Sequence, residues 1–224
     1  MTQLELIELV KQHHPDMGNV EIRKRLNRAQ DDFCSRTELI KKTYVQSTTA
    51  GTRYYSLDRA ILKILKVQID DVLIPRLIGD TLIDDDEFDG ATGRTDANTG
   101  STDYYWYHSN ERIGIVEKIS GGITVDNKTS YYQSISKTGK EMRLYTIAQA
   151  TDFGTTLTQE SDLPSQFRDG LASRVIAEGY LRKEALNPDI YAIFNQRYEV
   201  MIKRGKKYAR SNYQTDGMVR PQDF

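Results

Sequence analysis

Only one cysteine, Cys34, occurs in the 224 residues, so no internal disulfide can form. Its place in a helical pattern beside Phe33 makes it a small buried hydrophobe, not a nucleophile. No apolar run approaches the roughly 20 residues a membrane-spanning helix needs, so no contact with a membrane is expected. Excess charge of one sign is also lacking: 31 Lys and Arg stand against 32 Asp and Glu. The net charge of −1 excludes a global pull toward nucleic acid or lipid and leaves only local patches. Of the three histidines, His13 and His14 are adjacent and diverge on a helix, so with His108 they form no zinc set. No G-x-S-x-G elbow, P-loop or G-x-G-x-x-G is present, which removes the usual nucleophiles and phosphate cradles. An enzyme is not expected and no cofactor is implied. Residues 1–10 mix Glu5 and Glu8 into apolar positions without a basic segment, so they do not read as a secretory signal. The sequon at Asn127 is then without consequence, and a reducing aqueous compartment is expected.

What is present is a polar, patterned chain with a mean hydropathy of −0.61. Leu4, Ile7 and Val10 predict a short helix that ends near Pro15 and Gly18, and Asn19 is placed to cap a second. Ile22, Leu26, Ala29, Phe33 and Leu39 or Ile40 give that second helix one apolar face. The Thr- and Tyr-rich runs 43–48 and 53–57 around Gly51 predict a hairpin, and 63–69 and 72–74 around Asp70-Asp71 predict another. Residues 76–103 are acidic and poor in apolar positions, and read as a long loop. Strand signals at 104–107, 113–117, 123–126, 130–135 and 142–147 predict a meander. Two helices follow, one carrying Phe167, Leu171, Val175 and Tyr180 and closed by Asn187-Pro188, the next opening at Pro188 or Asp189 with Phe194, Tyr198 and Ile202. Residues 211–224 have no period and read as an extended tail.

The fold class expected is therefore α+β but mainly helical, an antiparallel helix bundle with an inserted β-hairpin and β-meander module and an extended C-terminal tail. Its expected parts are 1–57, helices and first hairpin; 58–153, a β-rich insertion with the acidic loop 76–103; 154–210, a helix pair packing with 1–42; and 211–224, the tail.

Three constellations bear on function. Asp85, Glu87, Asp89 and Asp96 approach the D-x-D-x-D-G-x5-E calcium loop, but Glu87 and Asp96 depart from it and neither flank reads as a helix, so a solvated loop is the plainer reading. Lys203, Arg204, Lys206, Lys207 and Arg210 form a basic run that either complements a helix C-terminus or contacts phosphate or an acidic partner. Tyrosine pairs at 54–55, 104–105 and 131–132 would each place one ring inward and one outward, where it could serve an interface. In the tail, Tyr213, Met218, Val219, Pro221 and Phe224 offer apolar anchors to a partner.

Two stretches resemble the head-to-tail adaptor (connector) proteins of tailed bacteriophages. Thr48 to Leu57 is similar to that family's T-x-x-G-x-x-x-Y-x-L segment. Leu157 to Phe167 is similar to its L-T-x-D-S-D-x-P-x-x-F entry into a helix, with Glu160 as a departure. The resemblance implies a non-enzymatic structural protein of the virion neck, assembled in the host cytoplasm. It implies a ring, typically of twelve copies, beneath the portal protein, which extends the channel for double-stranded DNA and receives tail or neck proteins. On this view the tail segment 211–224 docks on the portal or the next subunit. Two competing readings are a sequence-independent nucleic-acid-binding module and another neck or tail-completion protein. A calcium-binding domain built on the acidic loop is a third.

Overall fold

Thr2 opens the first helix with a reciprocal capping box: its hydroxyl accepts from the Glu5 amide at 3.4 Å and the Glu5 carboxylate accepts from the Thr2 amide at 2.9 Å. The computed structural model describes residues 1–78, 94–95, 104–109, 111–125, 128–182 and 186–213. The chain divides into two compact units, Met1–Lys41 with Ala148–Phe224, and Lys42–Ile147.

The first unit holds four helices, α1 (Gln3–His13), α2 (Asn19–Thr37), α3 (Ser165–Gly179) and α4 (Pro188–Tyr213). α3 packs against the other three, which is why it is buried on so much of its surface, from Phe167 and Gly170 through Val175 to Gly179. α1 turns Leu6, Ile7 and Val10 inward, whereas Leu4, expected on that stripe, points to solvent. Asn19 is the first residue of α2 and not its cap; the capping position is Gly18 and no side chain bonds there. α2 ends where Glu38 adopts a left-handed φ of 52° and its amide bonds to the Cys34 carbonyl at 2.9 Å. Leu6, Val10, Ile22, Leu26, Phe33, Leu171, Val175 and Tyr198 are wholly buried together, each apolar side chain contributing about 1.5–3 kcal/mol by its removal from water. Asn187 does not close α3, which ends at Gly179. Its carboxamide oxygen instead accepts from the Ile190 amide at 3.2 Å and caps α4, with Pro188 in the first-turn position that tolerates a missing N–H.

The second unit is built from strands: β1 (Lys41–Ser47), β2 (Tyr54–Ser56), β3 (Ile61–Ile69), β4 (Val72–Ile74), β5 (Leu77–Ile78), β6 (Arg94–Thr95), β7 (Tyr104–Ser109), β8 (Arg112–Val125), β9 (Lys128–Ser134) and β10 (Glu141–Ala148). The expected mainly helical bundle is thereby overturned. The β-rich part forms a compact unit of its own, with two cores. One sheet runs β1-β10-β3-β4; in the other, β8 pairs with β7, β2 and β9. Val67, Ile69, Ile74, Trp106, Ile113, Ile115, Met142 and Leu144 fill one core, contributed by strands of both sheets.

The β3–β4 hairpin forms as expected, with Val67 opposite Ile74, and Asp70 and Asp71 take φ values of 48° and 65°, the left-handed pair a tight two-residue turn requires. The first expected hairpin does not form: β1 pairs with β10 and β2 with β8, so the chain changes sheets at Gly51. The Gly51 φ of 77° makes that corner possible. The stretches 113–117 and 123–126, expected as separate strands, are joined in the single long strand β8 as far as Val125, with a register shift between Lys118 and Ile123; Asp126 lies outside the described residues. Within the expected loop 76–103, β5 pairs with β6, and Arg76 bridges to Trp106.

Candidate interaction surface

Both stretches that resemble an adaptor family serve the architecture. Thr48 is buried; its amide donates to the Lys140 carbonyl at 2.9 Å, and its hydroxyl donates to the Lys137 carbonyl at 3.1 Å and accepts from the Lys140 amide at 3.1 Å. The Tyr55 hydroxyl reaches back to accept from the Thr49 amide at 3.0 Å, which locks the Gly51 corner. In the second stretch, the carbonyls of Leu157 and Gln159 accept from the otherwise unpaired amides of Leu4 and Gln3 at the start of α1. Ser161 donates to the buried Gln30 carboxamide at 2.6 Å, and the Gln30 nitrogen donates to the Thr151 carbonyl at 2.9 Å. This strap ties α1, α2 and α3 together.

The tyrosine pairs also serve the fold. Because β7 and β8 are covered on both faces, Tyr55 and Tyr104 turn to one core while Tyr54 and Tyr105 turn to the other. The Tyr107 hydroxyl donates to that of Tyr54 at 2.9 Å, and Tyr105 stands edge-on to Tyr132 at 5.4 Å. The expected outward rings are thus packed on a second aromatic cluster, except that the Tyr131 side chain lies outside the described residues.

The surface feature that stands out is the C-terminal half of α4. Tyr198, Ile202, Gly205 and Ala209 form its buried line, and the five cations Lys203, Arg204, Lys206, Lys207 and Arg210 are all exposed on the remaining surface. Gly205 sits inside this run for a packing reason: a Cβ there would lie 2.9 Å from Thr37 Cγ2 and 3.0 Å from Phe33 Cζ, so only glycine lets α4 approach α2 this closely. None of the five cations stands in an ion pair or side-chain hydrogen bond among the described residues. Like charges at spacings of three and four residues, such as Lys203 with Lys206 and Lys207, oppose the helix by about 0.2–0.5 kcal/mol per pair, and between Arg197 and Arg210 only Glu199, four residues before Lys203, acts against them.

Glu199 is the single acid between Arg197 and Arg210, and it is held elsewhere. Arg36 of α2 donates to both of its carboxylate oxygens, at 2.8 and 2.6 Å. Hydrogen bonding from Arg36 lowers the Glu199 pKa and raises that of Arg36, with partial burial opposing both shifts. Two apolar side chains that the sequence pattern does not single out, Ile193 and Val200, are 52% and 39% exposed. They lie seven residues apart on the same line of α4 as Lys207, so the exposed face grades from apolar to cationic.

The other expected site residues are distributed differently. Tyr213 belongs to the last turn of α4, so the tail does not begin at Ser211; the Tyr213 side chain and Met218, Val219, Pro221 and Phe224 lie outside the described residues. Asp85, Glu87, Asp89 and Asp96 also lie outside them. Among the described residues no cluster of His, Cys, Asp and Glu could hold a metal ion, and no helix is long and apolar enough to cross a membrane. Cys34 is buried. His14 is buried with Nε2 hydrogen-bonded to the Ile176 carbonyl at 3.0 Å, while His13 Nδ1 lies 3.3 Å from the Tyr180 hydroxyl, so the two rings do diverge.

A family model described as SU10 adaptor protein matches residues 1–221. No curated protein matches the chain.

Proposed function

We propose, since the chain belongs to the SU10 adaptor protein family of phage head-to-tail adaptors, that its copies form a ring, typically of twelve, beneath the portal protein. The ring would extend the channel for double-stranded DNA and give tail or neck proteins their attachment platform. The observation that carries this reading is the extent of the family match, which runs through both units. A ring needs two different complementary surfaces on every copy. Exposed apolar side chains in the helical unit suit that need: Leu181, Leu186, Ile193 and Val200 are 52%, 66%, 52% and 39% exposed. Residues 214–224 then supply Met218, Val219, Pro221 and Phe224 as apolar anchors for the portal or the neighbouring copy. This role needs no catalytic residue and no cofactor, and it places the protein in the virion neck after assembly in the host cytoplasm.

The test is to mix the chain with portal assemblies and image them in negative stain. A ring capping the portal is expected for the full chain, and a folded, unassembled protein for a variant ending at Tyr213. A full chain that stays monomeric beside the portal overturns the reading. A shortened chain that assembles normally removes the role given to the tail.

A further inference from the structure

We infer that the cationic face of α4 is a docking surface for double-helical nucleic acid, which it grips through the phosphate backbone without reading sequence. The plain alternative is that these cations complement the negative end of the helix. That effect fades within the last turn. Because α4 runs on to Tyr213, Arg210 alone lies in the last turn, and Lys203, Arg204, Lys206 and Lys207 lie further in. The helix dipole therefore leaves four of the five unexplained. Little of their charge is offset along α4, since the one acid between Arg197 and Arg210, Glu199, attracts Lys203 but is gripped by two guanidinium nitrogens of Arg36.

The residue types favour a phosphate backbone over an acidic protein. Lysine is depleted at protein interfaces, where aromatic residues, methionine and arginine are enriched. Three of the five cations are lysines, and none of the five positions is apolar. A single-stranded partner would call for exposed rings on which bases stack. The one aromatic residue within the run, Tyr208, is 38% exposed, but it flanks the face and its ring is engaged edge-on with Phe167 at 5.7 Å, so it offers at most a single platform. Lys203, Lys207 and Arg210 recur on one line over about 10 Å of helix, so several phosphates can be met at once.

The experiment measures fluorescence anisotropy of a mixed-sequence DNA duplex of about 25 base pairs, titrated with the full chain over a range of salt. Binding is expected to be independent of sequence and to weaken as salt rises. The variant K203Q/K207Q/R210Q, whose changes are to exposed positions and good helix formers, should lower the magnitude of the log–log salt slope by about 2.7, at about 0.9 for each phosphate no longer neutralised. The control K24Q/R28Q, which removes exposed cations from α2, should leave the slope unchanged. No duplex binding at low salt, or equal slopes for the wild type and the triple variant, would falsify the assignment. Polyglutamate that displaces the duplex as well as unlabelled duplex does, at equal charge, would overturn it in favour of an acidic protein. A chain that assembles on the portal but leaves duplex DNA unbound defeats this binding surface alone, and one that binds duplex without assembling defeats the adaptor reading alone.

Discussion

Tyr107 of β7 lies directly across from Gly114 of β8, and its ring occupies the space a side chain at 114 would need: a Cβ there would come within 2.2 Å of the ring's Cζ. Gly114 is buried between neighbours Ile113 and Ile115, which face the first core, while Tyr107 caps the second. A glycine that looks like a weak point in a strand is therefore the seat of an aromatic ring.

Gly114→Ala should destabilise the strand unit by about 1–3 kcal/mol, because the ring must leave its position and lose its hydrogen bond to the Tyr54 hydroxyl. Tyr107→Phe keeps the ring in place and should lose only about 0.5–1.5 kcal/mol. Urea denaturation followed by tyrosine and tryptophan fluorescence separates the two. An alanine variant as stable as the wild type would mean that the ring has somewhere else to go.

The strap between Gln30 and Ser161 can be tested in the same way. Gln30 is wholly buried, and Ser161→Ala leaves its carboxamide oxygen without the donor now 2.6 Å away. An orphaned buried acceptor costs about 1–3 kcal/mol. The melting temperature should fall by about 2–4 °C for each kcal/mol in a chain of this size. The same change should leave duplex binding by α4 untouched, since nothing in the strap reaches the cationic face.

How much of the structure is legible in the sequence depends on the range of the interactions involved. The apolar rhythm from Ile22 and the Asp70-Asp71 turn are local signals, and α2 and the β3–β4 hairpin form there, although α2 stops at Thr37 and leaves Leu39 and Ile40 beyond its end. The first hairpin fails because the partner of β1 is β10, at the other end of the strand unit, and no local pattern announces a change of sheet at Gly51. Alternation puts Tyr54 and Tyr105 on the surface only if one face is wet, and that condition fails where a sheet is covered on both sides. The basic run itself is plain in the sequence. Its meaning depends on where α4 stops and on Arg36 engaging Glu199, and neither follows from the spacing of charges.

His13 gives a prediction in pH. Its pKa lies below the ordinary histidine value of 6.5, first through burial of part of the ring against neighbours such as Phe194, then through the charges of His14 and Arg197. A folded-state value below the unfolded one means that the unfolded chain binds the proton more readily. Stability is thus intact above about pH 6.5 and declines as pH falls from there toward the lower folded value. The ring remains largely on the surface, so the effect is small, about 1–2 °C in melting temperature between pH 7.5 and 5.5. His13→Gln should remove that part of the pH dependence, and identical profiles for the two proteins would rule the assignment out.

Arg36 and Glu199 couple the stability of the helical unit to the charge of its exposed face, and the two residues make opposite predictions. Both side chains are more than a third exposed, so the pair contributes only about 0.5–1 kcal/mol despite its two-pronged geometry. Because the folded pKa of Glu199 is lowered, this stabilisation is complete above the ordinary carboxylate value of 4.5 and is lost as pH falls through the folded value. Glu199→Gln and Arg36→Gln should therefore lose similar stability at pH 7, and the Glu199→Gln deficit should close in acid. Their effects on duplex binding should differ in sign. Glu199→Gln removes the only negative charge from the cationic stretch of α4 and should tighten binding by about two- to threefold at low salt, whereas Arg36→Gln releases a carboxylate beside Lys203 and should weaken it by a similar factor. Equal shifts in the same direction would mean that stability, and not the field of α4, controls the measurement.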